Sequence, residues 1–375
     1  MTWRQGLVAW RELERRHPLP WRLGVAALFA GGVSLLLMQA GKLSWPPRGW
    51  LSALVASLAL LALIVGRRVL WNDAEGRLRA AWRVVGFVLL AVWLDVAGIA
   101  MGLPLHPGKL IAGGSSSVLG FSLSLLGLLT LSSIIGVRVF DRRPVTQLGI
   151  VPGPGYWGDL AFGLGLGALL MTIVFGLEFS AGWVRVVSVG WTRTPGEPIA
   201  AGILRMTVAF LAVGFYEELA NRGYLLRTVA QGFVGSRIPP TRALALAVLL
   251  SSALFGLGHA GNPHATLVST LGIVVGGVVL SLPYVLTGRL ATSIGMHATW
   301  NLFQAVVYGF PTSGITAPVK ALVLEQAGPP SWTGGDFGPE AGLLGLFADL
   351  LGGVLIASRE RRRQGGLALH TALVE

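Results

Sequence analysis

"GFYEELANRG", residues 214–223, follows the apolar stretch "ILRMTVAFLAV" (203–213) and leads into Tyr224, Leu225 and Leu226. Ionisable groups inside hydrocarbon are costly and are kept there for pairing or for function. Neighbours on a helix point about 100° apart, so Glu217 and Glu218 cannot share a face. Residues four apart do share one, which aligns Glu218 with Arg222, the glutamate on the favourable amino-terminal side. That pair neutralises one charge and pins its carboxylate. Glu217 is left without a helical counter-ion, a state suited to proton transfer. The alternative reading is a helix end at the membrane interface with both acids hydrated.

The chain around this stretch has 375 residues, of which 53% are hydrophobic and 12% charged, and a mean hydropathy of +0.68. A soluble domain carries about 25% charged residues. Apolar runs of about 20 residues recur, enough to cross ~30 Å of hydrocarbon as a helix. The expected fold is all-α, a polytopic transmembrane helix bundle of about ten spans. They fall near 22–41, 49–66, 84–104, 117–137, 160–183, 202–228, 242–259, 266–286, 290–309 and 341–357. Residues 1–75 then form an amino-terminal extension with two predicted transmembrane helices, and 76–375 a helical core. The first helix is expected to be uncleaved, because its apolar run is too long for a signal-peptide core.

The net charge is +12. Its basic residues are dispersed among short connections, an arrangement that reflects membrane topology rather than nucleic-acid binding. With both termini in the cytoplasm, the inner segments hold most of the Lys and Arg. The expected location is a bacterial cytoplasmic membrane. The absence of cysteine excludes disulfides, thiolate catalysis, cysteine metal sites and palmitoylation.

Other polar residues fall within the spans. Glu178 and Arg205 lie at similar estimated depth, so an ion pair is expected. Asp95 and Asp349 stand alone and read as hydrogen-bonded groups between helices. Gly163 and Gly167 have the four-residue spacing that lets membrane helices approach closely. Residues 310–340, rich in Pro and Gly, read as irregular. Residues 74–83, "AEGRLRAAWR", read as a short amphipathic helix.

Two histidines lie in or at the edge of spans. Phe255 and His259 are four apart at the end of the seventh, and His297 and Asn301 four apart inside the ninth. Each histidine alone also fits a hydrogen-bonded packing role. On one face, Asn301 can orient the imidazole or donate to a nearby oxyanion. A carboxylate and two imidazoles on three helices can activate water with or without a metal. No zincin helix or serine-hydrolase elbow is present. Straight helices at 1.5 Å per residue put His297 roughly 12 Å and Glu217 roughly 15 Å from the inner surface, but His259 roughly 25 Å. Convergence then predicts a break near Gly256 and Gly258, a strong tilt, or a later helix start.

Glu217-Glu218-x-x-x-Arg222, Phe255-x-x-x-His259 and His297-x-x-x-Asn301, with "NRGYLL" and "HAGNP" around them, resemble the three motifs of the CPBP intramembrane proteases. This family comprises the CAAX prenyl endopeptidases and the bacterial Abi-type proteins of bacteriocin processing or immunity. The resemblance covers roughly 200–310 and implies a core of about eight spans, with the first two as an extension. It implies an endopeptidase that hydrolyses a peptide bond within the membrane. By that likeness Glu217 acts with His259 on the attacking water, His297 and Asn301 stabilise the oxyanion, and Glu218 and Arg222 position the site. In a metal-dependent variant, Glu217, His259 and His297 hold a divalent ion such as zinc. The implied partner is a membrane-associated peptide or protein, lipidated in the prenyl endopeptidases, with no nucleic acid. Two alternatives stand beside this. One is a non-catalytic Abi-type immunity or membrane scaffold protein. The other is a proton-coupled transporter, which predicts that Asp95, Glu178 and Asp349 line one path with Glu217.

Overall fold

A computed structural model describes residues 70–234 and 238–374. The expected spans 22–41 and 49–66, and nearly all of the extension 1–75, lie outside the described residues. The later eight expected spans are all helical. They are α1 (Ala80–Ala100), α2 (Ser115–Ile135), α3 (Pro154–Ser180), α4 (Ile199–Glu218) with its continuation α5 (Arg227–Phe233), α6 (Pro240–Gly258), α7 (Leu267–Thr287), α8 (Ala291–Leu302) and α9 (Leu343–Gln364). Six stretches among the described residues are long and apolar enough to cross a membrane: Ala80–Ala100, Ser115–Phe140, Gly155–Ser180, Ile199–Phe233, Pro240–Gly258 and Leu267–Thr287. Helices are required because lipid offers no partner to a free backbone N–H or C=O. The protein is thus an integral membrane protein with an all-α polytopic bundle. Large apolar side chains such as Leu204, Leu249 and Val354 point outward, as lipid contact demands.

α8 is the central element. Every residue from Ala291 to Trp300 is buried, and its closest packing is against α3 and α4. The α3–α8 crossing is tight because Gly163 and Gly167 carry no side chain. A Cβ at either position would run into the backbone of Thr292 or Met296. The Thr299 hydroxyl donates to the Leu164 carbonyl across this contact (2.8 Å). The small-residue spacing read from sequence is used as expected.

Between α4 and α5 the helix widens into a π-helix, Leu219–Leu226. It begins directly after Glu218. Its Tyr224 ring is fully buried and packs on Phe87 of α1, with centroids 4.4 Å apart. π-turns of this kind are concentrated at functional sites.

Three sequence expectations are corrected. Residues 310–340 are not all irregular: Val319–Gln326 forms strand β4, antiparallel to β3 (Val184–Thr192), with a bulge between Val186 and Ser188. Both are short runs rich in β-branched residues, and flanking Pro and Gly masked the second. Residues 74–83 do not begin as a helix. Strands β1 (Trp71–Asn72) and β2 (Arg77–Leu78) form a small hairpin before α1 starts at Ala80. The Asn72 side chain closes this turn by accepting from the Ala74 amide (3.2 Å). Finally, Arg205 does not meet Glu178. It pairs with Glu197 (2.5 Å), just ahead of α4. Glu178 is buried with neither carboxylate oxygen hydrogen-bonded among the described residues.

Candidate active site

Glu217 and Glu218 are the last two residues of α4 and point to different surroundings. The Glu218 side chain is fully buried. Its Oε1 accepts from Arg222 Nη1 and from His297 Nδ1, both at 2.9 Å. Arg222 also donates to the Gly277 carbonyl (3.1 Å) and lies over the Phe255 ring, 4.5 Å from its centroid. The i,i+4 pair read from sequence therefore exists, and it fixes a histidine as well. Removing one partner of a buried pair costs about 3–5 kcal/mol, because it strands the other charge.

Glu217 keeps 22% of its side chain exposed and has no guanidinium partner among the described residues. Its Oε2 lies 3.8 Å from His297 Nε2. His297 thus stands between the two glutamates, one ring nitrogen toward each. Because a carboxylate only accepts, Nδ1–H donates to Glu218, and Nε2 is the ring nitrogen turned toward Glu217.

His259 follows the last residue of α6. Its Nδ1 donates to the Phe255 carbonyl (2.8 Å), which leaves Nε2 as an acceptor. The Phe255 ring stands edge-on to both histidines, with centroids 4.8 Å from His259 and 6.2 Å from His297. No break in α6 is needed to bring His259 here. The helix of Glu217 runs through the π-turn to Phe233, five residues beyond the expected end at 228. Counted from the short Phe233–Pro240 connection, Glu217 then lies about 24 Å along its helix and His259 about 28 Å along its own. The depth mismatch came from ending the sixth span too early.

Glu217, His259, His297 and Asn301 line one cavity of about 560 Å³. Asn301 lies one helical turn beyond His297, and its side-chain amide makes no hydrogen bond among the described residues. Two further acids, Glu340 and Asp349, lie on the cavity wall, where sequence reasoning placed neither. Glu340 precedes α9 in the Pro- and Gly-rich segment, where no periodicity marks a site. Asp349 was noticed only as an isolated residue. Asp95 and Glu178 do not line this cavity, so the path expected of a transporter holds only Asp349 of its three acids.

The donor set does not match a metal centre as it stands. Among the described residues, no three His, Asp or Glu side chains are placed to hold an ion together. Glu217 and His297 approach each other, and among the described residues no third ligand-type side chain is placed with them to complete a site. The chemistry below therefore runs through protein groups and water.

A family sequence model described as type II CAAX prenyl endopeptidase Rce1-like matches residues 199–303. All the motif residues, from Glu217 to Asn301, fall inside it. No curated protein and no solved structure matches the chain. Within this polytopic helical membrane protein, residues 199–303 thus carry a CAAX-protease domain of the Rce1-like type.

Proposed function

We propose that the protein is an endopeptidase that hydrolyses a peptide bond of a membrane-associated, lipidated substrate inside this cavity. The observation that carries the reading is the convergence of Glu217, His297 and Asn301 on one cavity, with Glu218 and Arg222 locking the histidine from behind.

At 3.8 Å, Glu217 and His297 Nε2 are too far apart to bond directly. A single water about 2.8 Å from both sits comfortably at the apex between them. It donates one hydrogen to each, and its lone pair faces the cavity. As the water oxygen attacks the scissile carbonyl, Glu217 takes the proton. Asn301 donates its amide N–H to the carbonyl oxygen as that oxygen becomes negative. Collapse of the tetrahedral intermediate breaks the C–N bond, and Glu217 returns its proton to the leaving amine. The His259 Nε2, left as an acceptor by the Nδ1 contact to Phe255, holds a substrate N–H. Glu218 and Arg222 are positioning residues that keep Nε2 of His297 aimed at Glu217. The placement of the basic connections supports an orientation with both termini on the cytoplasmic side.

The test uses full-length protein in liposomes with a panel of prenylated and unmodified carboxy-terminal peptides, read by mass spectrometry. Wild type should release fragments from at least one peptide, and Glu217→Gln should release none while keeping its melting temperature. Full activity in Glu217→Gln would overturn the mechanism. A wild type that cleaves nothing the variant leaves intact would favour the scaffold reading.

A further inference from the structure

The cavity's charge is at odds with that of the protein. The chain carries a net +12, yet among the described residues no Lys or Arg lines the cavity, whereas Glu217, Glu340 and Asp349 all do. Its remaining titratable groups of that range are the two histidines already described. The two ends differ. Glu217 faces His297, while Glu340 and Asp349 line the cavity with no Lys or Arg partner among the described residues.

Glu340 is held in place. Its carboxylate accepts from Gln304 Nε2 (2.6 Å) and from the Ser313 amide (3.0 Å). Burial pushes its carboxyl up to about 7, against these hydrogen bonds, so a nearby cation would favour the charged form. Asp349 is only 8% exposed, and its carboxylate has no hydrogen bond among the described residues. Such a buried unpaired group is expensive. It borders the cavity beside Gly276 of α7, where a Cβ would come within 3.4 Å of Oδ2. The missing side chain leaves an open approach to the carboxylate. One residue further along α7, the Gly277 carbonyl binds Arg222. Adjacent residues of α7 thus border the unpaired acid and the network that holds His297.

We propose that the Glu340–Asp349 end of the cavity is a subsite for a cationic side chain, lysine or arginine, of the bound peptide. The apolar side chains of Phe255, Ile273 and Leu280 on the cavity wall accommodate its methylene stem. The proposal deepens the reading of the cavity as a peptide site and rests on it. It adds a specificity determinant: a basic residue near the scissile bond.

The test is a binding measurement, so it does not depend on turnover. Full-length protein is placed in nanodiscs of uncharged phosphatidylcholine. Two labelled hydrophobic peptides are compared, identical except for one central lysine or norleucine. Both are measured on wild type and in the Glu217→Gln background, where peptide stays intact. The lysine peptide should bind about tenfold more tightly. Asp349→Asn should remove the difference, and Glu340→Gln should reduce it. Gly276→Val, which fills the approach without touching charge, should remove it too and serves if Asp349→Asn fails to fold. Equal affinities in wild type, or a preference that survives both Asp349→Asn and Gly276→Val, would overturn the subsite. A preserved preference with no hydrolysis of any peptide would instead overturn the protease reading and leave the subsite standing.

Discussion

Two buried ion clusters in this molecule are built from the same parts and differ in what they leave open. In one, Arg83 of α1 donates to Asp141 (2.7 Å) and to Gln231 of α5 (2.8 Å), with Arg227 4.0 Å from the same carboxylate. Gln231 in turn donates to the Leu373 carbonyl, so this cluster ties α1, α5 and the carboxy-terminal segment together. None of its members lines the cavity. In the other, Arg222, Glu218 and His297 form an equally buried set, but one face of it is the cavity wall. Across that face stands Glu217, a carboxylate with no guanidinium partner. The contrast teaches that a buried ion pair does not mark a site. The mark is an uncompensated group placed next to a compensated one, on a cavity.

The comparison breaks first at Glu217. Glu217→Gln should lower turnover by about 10²–10⁴-fold, measured as fragment release in liposomes, with no fall in melting temperature. Asp141→Ala should do the reverse. It strands the buried Arg83 and should cost about 3–5 kcal/mol of stability, read by denaturant unfolding in micelles, while turnover per folded molecule holds. A catalytic defect in Asp141→Ala beyond the folded fraction would dissolve the distinction between the clusters. Asn301→Ala should reduce kcat by about 10²–10³-fold with little change in KM, the pattern of a lost oxyanion donor. A change confined to KM would make Asn301 a binding group.

The smallest effect concerns a third ion pair, whose carboxylate, Glu197, lies ahead of α4. The Ser115 hydroxyl donates to Glu197 and holds its carboxyl below the usual carboxylate range. Thr192 and Arg205 add to this, and burial opposes it. A lowered folded-state value means the stabilising contribution is complete above the unfolded-state value and is lost as pH falls through the folded one. Thermal melts from neutral pH downward should show a modest acid-side loss in wild type that Glu197→Gln lacks. Identical curves would show that this pair is immaterial.

Much of the candidate site was legible because its determinants are local. The four-residue spacings of Glu218 with Arg222, of Phe255 with His259 and of His297 with Asn301 are properties of a helix, and helices are what lipid enforces. What joins the motifs was not legible. No spacing says that His297 Nδ1 turns to Glu218, or that Glu217 meets His297 rather than His259. Those contacts depend on how three helices cross. Glu340 and Asp349 reach the cavity from a segment beyond the family match, and β4 pairs with a strand more than a hundred residues earlier. The position of His259 was misjudged for a smaller reason: the helix of Glu217 continues past the π-turn and beyond the expected end at 228, through α5 to Phe233.

That π-turn has a consequence for how the gene can vary. Between Glu218 and Tyr224 the chain must turn Arg222 inward to the glutamate and deliver the Tyr224 ring to Phe87. Substitutions at outward positions leave both tasks intact. Deleting one residue would either return the i→i+5 ladder to i→i+4 and shift the residues within the turn, or keep that ladder and rotate everything beyond it by about 100°, so that one of the two contacts must be given up. The stretch from Leu219 to Leu226 is therefore a fixed-length ruler: tolerant of altered letters, intolerant of an altered count.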